Sequence, residues 1–231
     1  MQQVKRTHAV RCPVCGKGRV IDAAADVDPG RLHLYGPEHA DKAELFSKCP
    51  KCGLQIGISF EVVKAEGEEK IMTDDPEEAV KELAMQKAQE VADRVDADVV
   101  IGADTVVAVD GEIMGKPKDP ADAARMIHRI QGRDHEVLTG VAVILKKGEV
   151  ETTINFAETT RVHVFPMTEE EIQAYAASKE PMDKAGAYGI QGLFAAYVSG
   201  IEGDYNNVVG LPVGRLYQEV KAIADVDLRT L

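Results

Sequence analysis

Val99-Val100-Ile101-Gly102-Ala103-Asp104-Thr105-Val106-Val107-Ala108-Val109-Asp110-Gly111-Glu112-Ile113-Met114-Gly115-Lys116 is the stretch from which the rest of the chain can be read. Its continuous apolar run is that of a strand covered on both faces. Asp110-Gly111 between apolar segments is a strong signal for a two-residue hairpin turn. Counting outward from that turn, Val109 faces Glu112 and Thr105 falls opposite Lys116, with Asp104 one step beyond. A carboxylate, a hydroxyl and an ammonium group therefore converge where an apolar strand emerges, a suitable place for a phosphorylated ligand in an α/β protein. The alternative is a surface ion pair at a strand end. Two unit charges about 4 Å apart attract by about 4 kcal/mol at an effective dielectric near 20, and desolvation consumes most of that.

The flanking sequence supplies the layers. Asp75-Pro76-Glu77-Glu78 reads as a helix start, with Asp75 as N-cap and Glu78 at the capping-box position. The helix should run to about Val95 behind an apolar stripe of Val80, Leu83, Ala84, Val91 and Val95. Lys87 falls inside that stripe, where a lysine must snorkel, pair or meet a ligand. Before the helix lie a short strand, Ile58 to Val63, and three glutamates, Glu66, Glu68 and Glu69. These glutamates are either a solvated loop or a source of one metal-binding carboxylate.

After the hairpin, a second helix runs from Asp119-Pro120 to Gly132. Strands follow at Val137 to Leu145, Glu151 to Ala157 and Arg161 to Phe165, with a turn near Lys147-Gly148. Thr168 and Glu171 form a capping box, and that helix must end by Glu180, before Pro181. Asp183 to Gly192 is a small-residue loop whose amides could approach a ligand, unless it is a plain structural loop. Gln191 offers both a donor and an acceptor for a base edge. A strand at Phe194 to Val198 and a helix from Pro212 to Ala224 complete the chain. Alternating elements with hairpins predict an α/β fold, a mixed sheet with flanking helices.

Composition narrows the function classes. A net charge of -12 over 231 residues argues against wholesale binding to nucleic acid. The first fifty residues leave room for a local basic patch, since Lys5, Arg6, Arg11, Lys17, Arg19 and Arg31 fall there. No apolar run approaches the roughly 20 residues that span a bilayer, nor does the N-terminus carry a secretory core segment, so a cytoplasmic protein is expected. Cys12-Pro13-Val14-Cys15-Gly16 and Cys49-Pro50-Lys51-Cys52-Gly53 are near-copies of one knuckle. Cys12, Cys15, Cys49 and Cys52 could give zinc four thiolates in a tetrahedron, as in a zinc ribbon; a redox Cys-x-x-Cys is the rival. This divides the chain into a ribbon-like segment, 1–53, and a second domain, 54–231.

The second domain resembles the Maf family. The matching stretches begin at Gly57-Ile58-Ser59-Phe60-Glu61-Val62, Leu83-Ala84-x-x-Lys87-Ala88, Ile101 to Val107 and Gly115-Lys116-Pro117. They continue through Gly132-Arg133-x-His135-x-Val137-x-Thr139-Gly140, Glu180 to Gly192, Gly203-Asp204-Tyr205 and Gly210-Leu211-Pro212, in family order. The resemblance implies a mixed-sheet fold like that of the inosine triphosphatases, and hydrolysis of nucleoside triphosphates to monophosphate and pyrophosphate. It makes Asp104 the proton acceptor for water, Glu69 and Asp104 the ligands of Mg2+ or Mn2+, and Lys87 and Lys116 the cations facing phosphate. Thr105 and Gln191 match the positions that set base preference, with Lys184 also on the substrate. The Ile190-Gln191-Gly192 form resembles the branch acting on dTTP and UTP, and the family also suggests a homodimer. Family members open with a strand and a Ser-x-Ser-Pro-Arg-Arg loop. Here nothing of that kind precedes Gln55, and the ribbon-like segment stands in its place. A Maf-like module that binds nucleotide without turnover, its ribbon contacting protein or nucleic acid, is therefore the alternative function.

Overall fold

The computed structural model describes residues 62–147 and 150–224, and, before residue 62, only the five strands named next. The chain forms two compact units, one of 1–64 with 218–231 and one of 65–217. In the first, β1 (Thr7–Arg11) pairs antiparallel with β2 (Arg19–Ala24), while β3 (Leu34–Tyr35) and β4 (Leu45–Lys48) both pair with β5 (Gln55–Ile58). Of the strand expected over Ile58 to Val63, Ile58 is the last residue of β5, residues 62 and 63 are not strand, and 59–61 fall outside the described residues. All four cysteines fall outside the described residues.

The second unit is built on one five-stranded sheet in the order β10-β9-β8-β6-β7. Its strands are β6 (Val99–Val109), β7 (Glu112–Met114), β8 (Asp134–Lys147), β9 (Val150–Val164) and β10 (Val198–Glu202). Every pairing in it is antiparallel, so among the described residues the expected mixed sheet is not found. Tight connections account for two of the four pairings, β6 with β7 and β8 with β9, since two-residue links join only antiparallel neighbours. Val109 pairs with Glu112, and Asp110 and Gly111 both take positive φ, as the turn signal requires. Two strands read separately at 151–157 and 161–165 are one long strand, β9. The expected strand at Phe194 to Val198 is instead a 3-10 turn, Leu193–Ala196, leading into β10.

Helix α1 (Pro76–Ala92) starts at Asp75, whose side chain accepts from the amides of Glu77 and Glu78. The reciprocal half of the capping box is missing: the Asp75 amide turns to Thr73 Oγ1, and Glu78 pairs with Lys81. The full box does form at Thr168 and Glu171, opening α3 (Glu169–Ala176). Helices α2 (Pro120–Ile130), α4 (Tyr205–Val209) and α5 (Val213–Ala224) complete the set. Among the described residues, no helix is long and apolar enough to cross a membrane.

The two faces of the sheet carry different layers. On one face lie Val106, Ala108 and Leu138, with Val80 of α1. On the other lie Val107, Val109, Val137, Val162 and Val164, with α2, α3 and the rings of Tyr175, Tyr188 and Phe194. Two glycines let α1 come close: a Cβ at Gly102 would strike the Ala84 carbonyl and Ala88, and one at Gly140 would strike the Val80 carbonyl. The first half of β6 is not covered on both faces, because Val99 and Ile101 are 43% and 46% exposed.

Candidate active site

Gly140 is the sheet partner of Asp104, so the close approach of α1 there brings the helix over the Asp104 carboxylate. Lys87, about two turns beyond Val80 on the same face of the helix, donates from Nζ to Asp104 Oδ1 and lies 3.0 Å from Glu69 Oε1. The lysine in the apolar stripe therefore pairs, at 26% side-chain exposure against 15% for Asp104 and 57% for Glu69.

Glu69 is held there by a device the sequence reading missed. Residues 66–72 run beside α1, and side chains at helical spacing catch their backbone. Glu90 accepts from the amides of Glu66 and Gly67, Gln86 both accepts from and donates to the backbone of Lys70, and Glu82 accepts from the Met72 amide. Four helical residues advance about 6 Å and two extended residues about 6.6 Å, which matches the step from Lys70 to Met72; between Gly67 and Lys70 three residues cover the same helical step. Glu82, Gln86 and Glu90 recur every fourth residue, which was the signal available.

The electrostatics follow from this packing. Burial drives the Asp104 carboxyl above its ordinary value and the Glu69 charge adds to that; Lys87 and Lys116 oppose without reversing it. Burial alone would lower Lys87, but the hydrogen bonds of Asp104 and Glu69 outweigh it and the ammonium is held charged. Lys116 is exposed just past β7, and its charge reaches both Asp104 and Asp183.

Side chains alternate along a strand, so Thr105 turns to the opposite face from Asp104. Its Oγ1 lies 2.8 Å from that of Thr139, which donates to the Asn207 carbonyl at 2.9 Å. Among the described residues, 99–106 of β6 pair only with β8, because β7 stops at the partner of Val107. At that edge a ligand can touch both faces, with Lys116 beside it. Lys184 binds Asp183 at 2.7 Å, and Gln191 is exposed. The segment bearing Gln191 is pinned by Glu180, which accepts from Tyr175 Oη and from the amide of Leu193. Glycine at 186 serves packing here, since a Cβ would meet Val107 and its φ is +66°.

The structure thus brings Glu69, Lys87 and Asp104 together, puts Lys116 within electrostatic reach, and sets Thr105 around the strand edge. Among the described residues, no group of three His, Cys, Asp or Glu gathers as a metal site. Two carboxylates converging on one cationic group are nonetheless a hard-oxygen pair suited to magnesium or manganese, which fill their other positions with water and phosphate.

Residues 54–223 match the family described as Maf-like protein. The chain belongs to that family. Maf-like relatives include the dTTP/UTP pyrophosphatase of Agathobacter rectalis, 50% identical over 183 residues, covering 73% of this chain and 89% of the relative. The dTTP/UTP pyrophosphatase of Bacillus cytotoxicus is 50% identical over 165 residues, covering 71% and 84%. That of Lachnoclostridium phytofermentans is 50% identical over 170 residues, covering 72% and 86%.

Proposed function

We propose that this Maf-like protein hydrolyses dTTP, UTP or related modified nucleotides to monophosphate and pyrophosphate. The observation that carries the reading is the buried Asp104 with its raised carboxyl, joined to Lys87 and Glu69 in a chain half identical to dTTP/UTP pyrophosphatases. Asp104 takes a proton from water, whose oxygen attacks the α-phosphorus. The bond between the α-phosphorus and the oxygen that bridges it to the β-phosphorus breaks, and pyrophosphate leaves with that oxygen and the electron pair. A carboxylate whose proton affinity is raised is the better base, provided it stays ionised at working pH. Lys87 and Lys116 offset the charge that the phosphate oxygens gain. Glu69 and Asp104 would hold Mg2+ or Mn2+, which supplies Lewis-acid stabilisation of those oxygens. Thr105 and Gln191 would meet the base, and Lys184 the substrate's phosphate or sugar.

The test is pyrophosphate release from dTTP or UTP with magnesium, lost in Asp104→Asn. A metal-replete protein that releases none from any triphosphate refutes the assignment. We also propose that Cys12, Cys15, Cys49 and Cys52 hold a structural zinc ion, on the strength of their paired spacing. One zinc per chain and loss of structure on chelation are expected; a zinc-free protein with unchanged circular dichroism refutes it.

A further inference from the structure

Hydrogen-bond donors in the network behind Thr105 can be counted. A carbonyl oxygen only accepts, so the 2.9 Å bond between Thr139 Oγ1 and the Asn207 carbonyl uses the single Thr139 hydroxyl proton. The 2.8 Å contact between the two threonine hydroxyls must then be donated by Thr105. Thr105 also has one proton, so it shows only lone pairs to anything else. The direction cannot reverse, because the chain of bonds ends on a carbonyl.

That carbonyl is fixed from behind. Asn207 Nδ2 donates to the Val137 carbonyl at 2.9 Å and to Thr160 Oγ1 at 3.0 Å. Thr160 Oγ1 donates in turn to the Asp204 carbonyl and accepts from the Asp204 amide. Thr139, Thr160 and Asn207 are all buried completely, so water cannot stand in for any member.

We propose that Thr139 and Asn207 are positioning residues that hold the Thr105 hydroxyl as an obligate acceptor, making the base subsite a reader of an imide N–H. The inference rests on the pyrimidine triphosphatase reading above. On their base-pairing edge, uracil and thymine present two carbonyl acceptors and one donor, N3–H. An acceptor-only Thr105 can hydrogen-bond there at N3–H alone. Cytosine seated in the same pose has a lone pair at N3, and the two would face each other unpaired, because its donor, the N4 amino group, lies where uracil carries a carbonyl.

The wild-type protein supplies the first test. 5-Fluoro-UTP keeps the shape of the reading edge but has a more acidic imide. The basic limb of kcat/KM should therefore set in at lower pH for 5-fluoro-UTP than for UTP; coincident limbs overturn the proposal. Thr139→Val frees the Thr105 proton, and the UTP-to-CTP ratio of kcat/KM should fall by about tenfold, the worth of one hydrogen bond. Thr139→Ser should keep the ratio, and Thr139→Val should change nothing further in a Thr105→Val background. Equal losses for both nucleotides, or an effect that survives without Thr105, overturn it. Should Thr139→Val not fold, the wild-type pH comparison decides. If no triphosphate is hydrolysed, calorimetry with UMP and 5-fluoro-UMP separates the two claims. Binding that weakens as pH rises, with an earlier onset for 5-fluoro-UMP than for UMP, supports the relay while the pyrophosphatase reading falls. Binding without that difference, or none, overturns the relay too.

Discussion

On one face of β6, Asp104 meets an ammonium group and a second carboxylate within reach of water. One residue on, Thr105 turns to a face where hydroxyls and an amide are sealed from it. The charged cluster has cations and protons that can be exchanged, and Lys87 shares itself between two carboxylates. The neutral network has none: each hydrogen is committed, Asn207 Oδ1 is buried without a donor, and the outermost oxygen, Thr105 Oγ1, is left to accept from a ligand. Chemistry needs the first kind of surface and recognition the second. A single strand provides both because its side chains alternate, and because β7 ends before it covers the edge between them.

The strongest way to break this contrast is Asp104→Asn. Loss of a positioned general base costs about 10²–10⁴ in rate, so kcat/KM for UTP should fall by at least that much while the neutral face still binds nucleotide. Because burial raises the Asp104 carboxyl, the folded protein bears a cost for its charge above the ordinary carboxylate range. The variant should therefore melt no lower than wild type at neutral pH, which a thermal melt checks. A large drop in melting temperature would mean that the cluster is structural.

Gly140→Ala attacks the same face through its packing. The added methyl meets the Val80 carbonyl, so α1 must lift and carry Lys87 away from Asp104. Overpacking costs about 1–3 kcal/mol, and both stability and kcat should fall. Asn207→Ala attacks the other face. It leaves the Val137 carbonyl without the amide that served it, at about 1–3 kcal/mol in a site closed to water. Denaturant unfolding should show that loss, with the UTP-to-CTP preference reduced more than the rate of the remaining reaction.

What the sequence disclosed about these faces was local. The hairpin turn, both helix starts with N-cap aspartates and the Thr168 box are decided by residues within four positions of each other, and each forms at or within a residue of its expected place. The apolar run from Val99 misled on coverage, since run length cannot say whether a second layer exists; Val99 and Ile101 are left half-exposed. Reading Lys87 as an intruder in a buried stripe was sound, yet its partners lie 17 and 18 positions away on different elements. Thr139 and Asn207 gave no local sign, because their bonds join residues 34 to 70 apart. A long-range network of small polar side chains has no periodicity to betray it.

The same division of charged from neutral recurs, with smaller consequences, in two histidines. His135 is buried against Tyr188, its Nε2 2.7 Å from the phenol oxygen, and burial lowers its pKa to about 4. His163, in the next strand, lies 2.6 Å from Asp134 and 3.2 Å from Glu202; the Asp134 hydrogen bond, with both carboxylate charges, raises its pKa. A proton held more tightly by the folded state stabilises it at low pH, and that gain fades as pH climbs through the raised value. A proton held less tightly works in the other direction. The stability margin of wild type over His163→Gln should therefore shrink as pH rises from below 6.5 through the raised pKa. The margin over His135→Phe should shrink as pH falls from 6.5 toward about 4. Melts across that range measure both, and margins that move in the same direction would show that the two residues do not differ as their surroundings require.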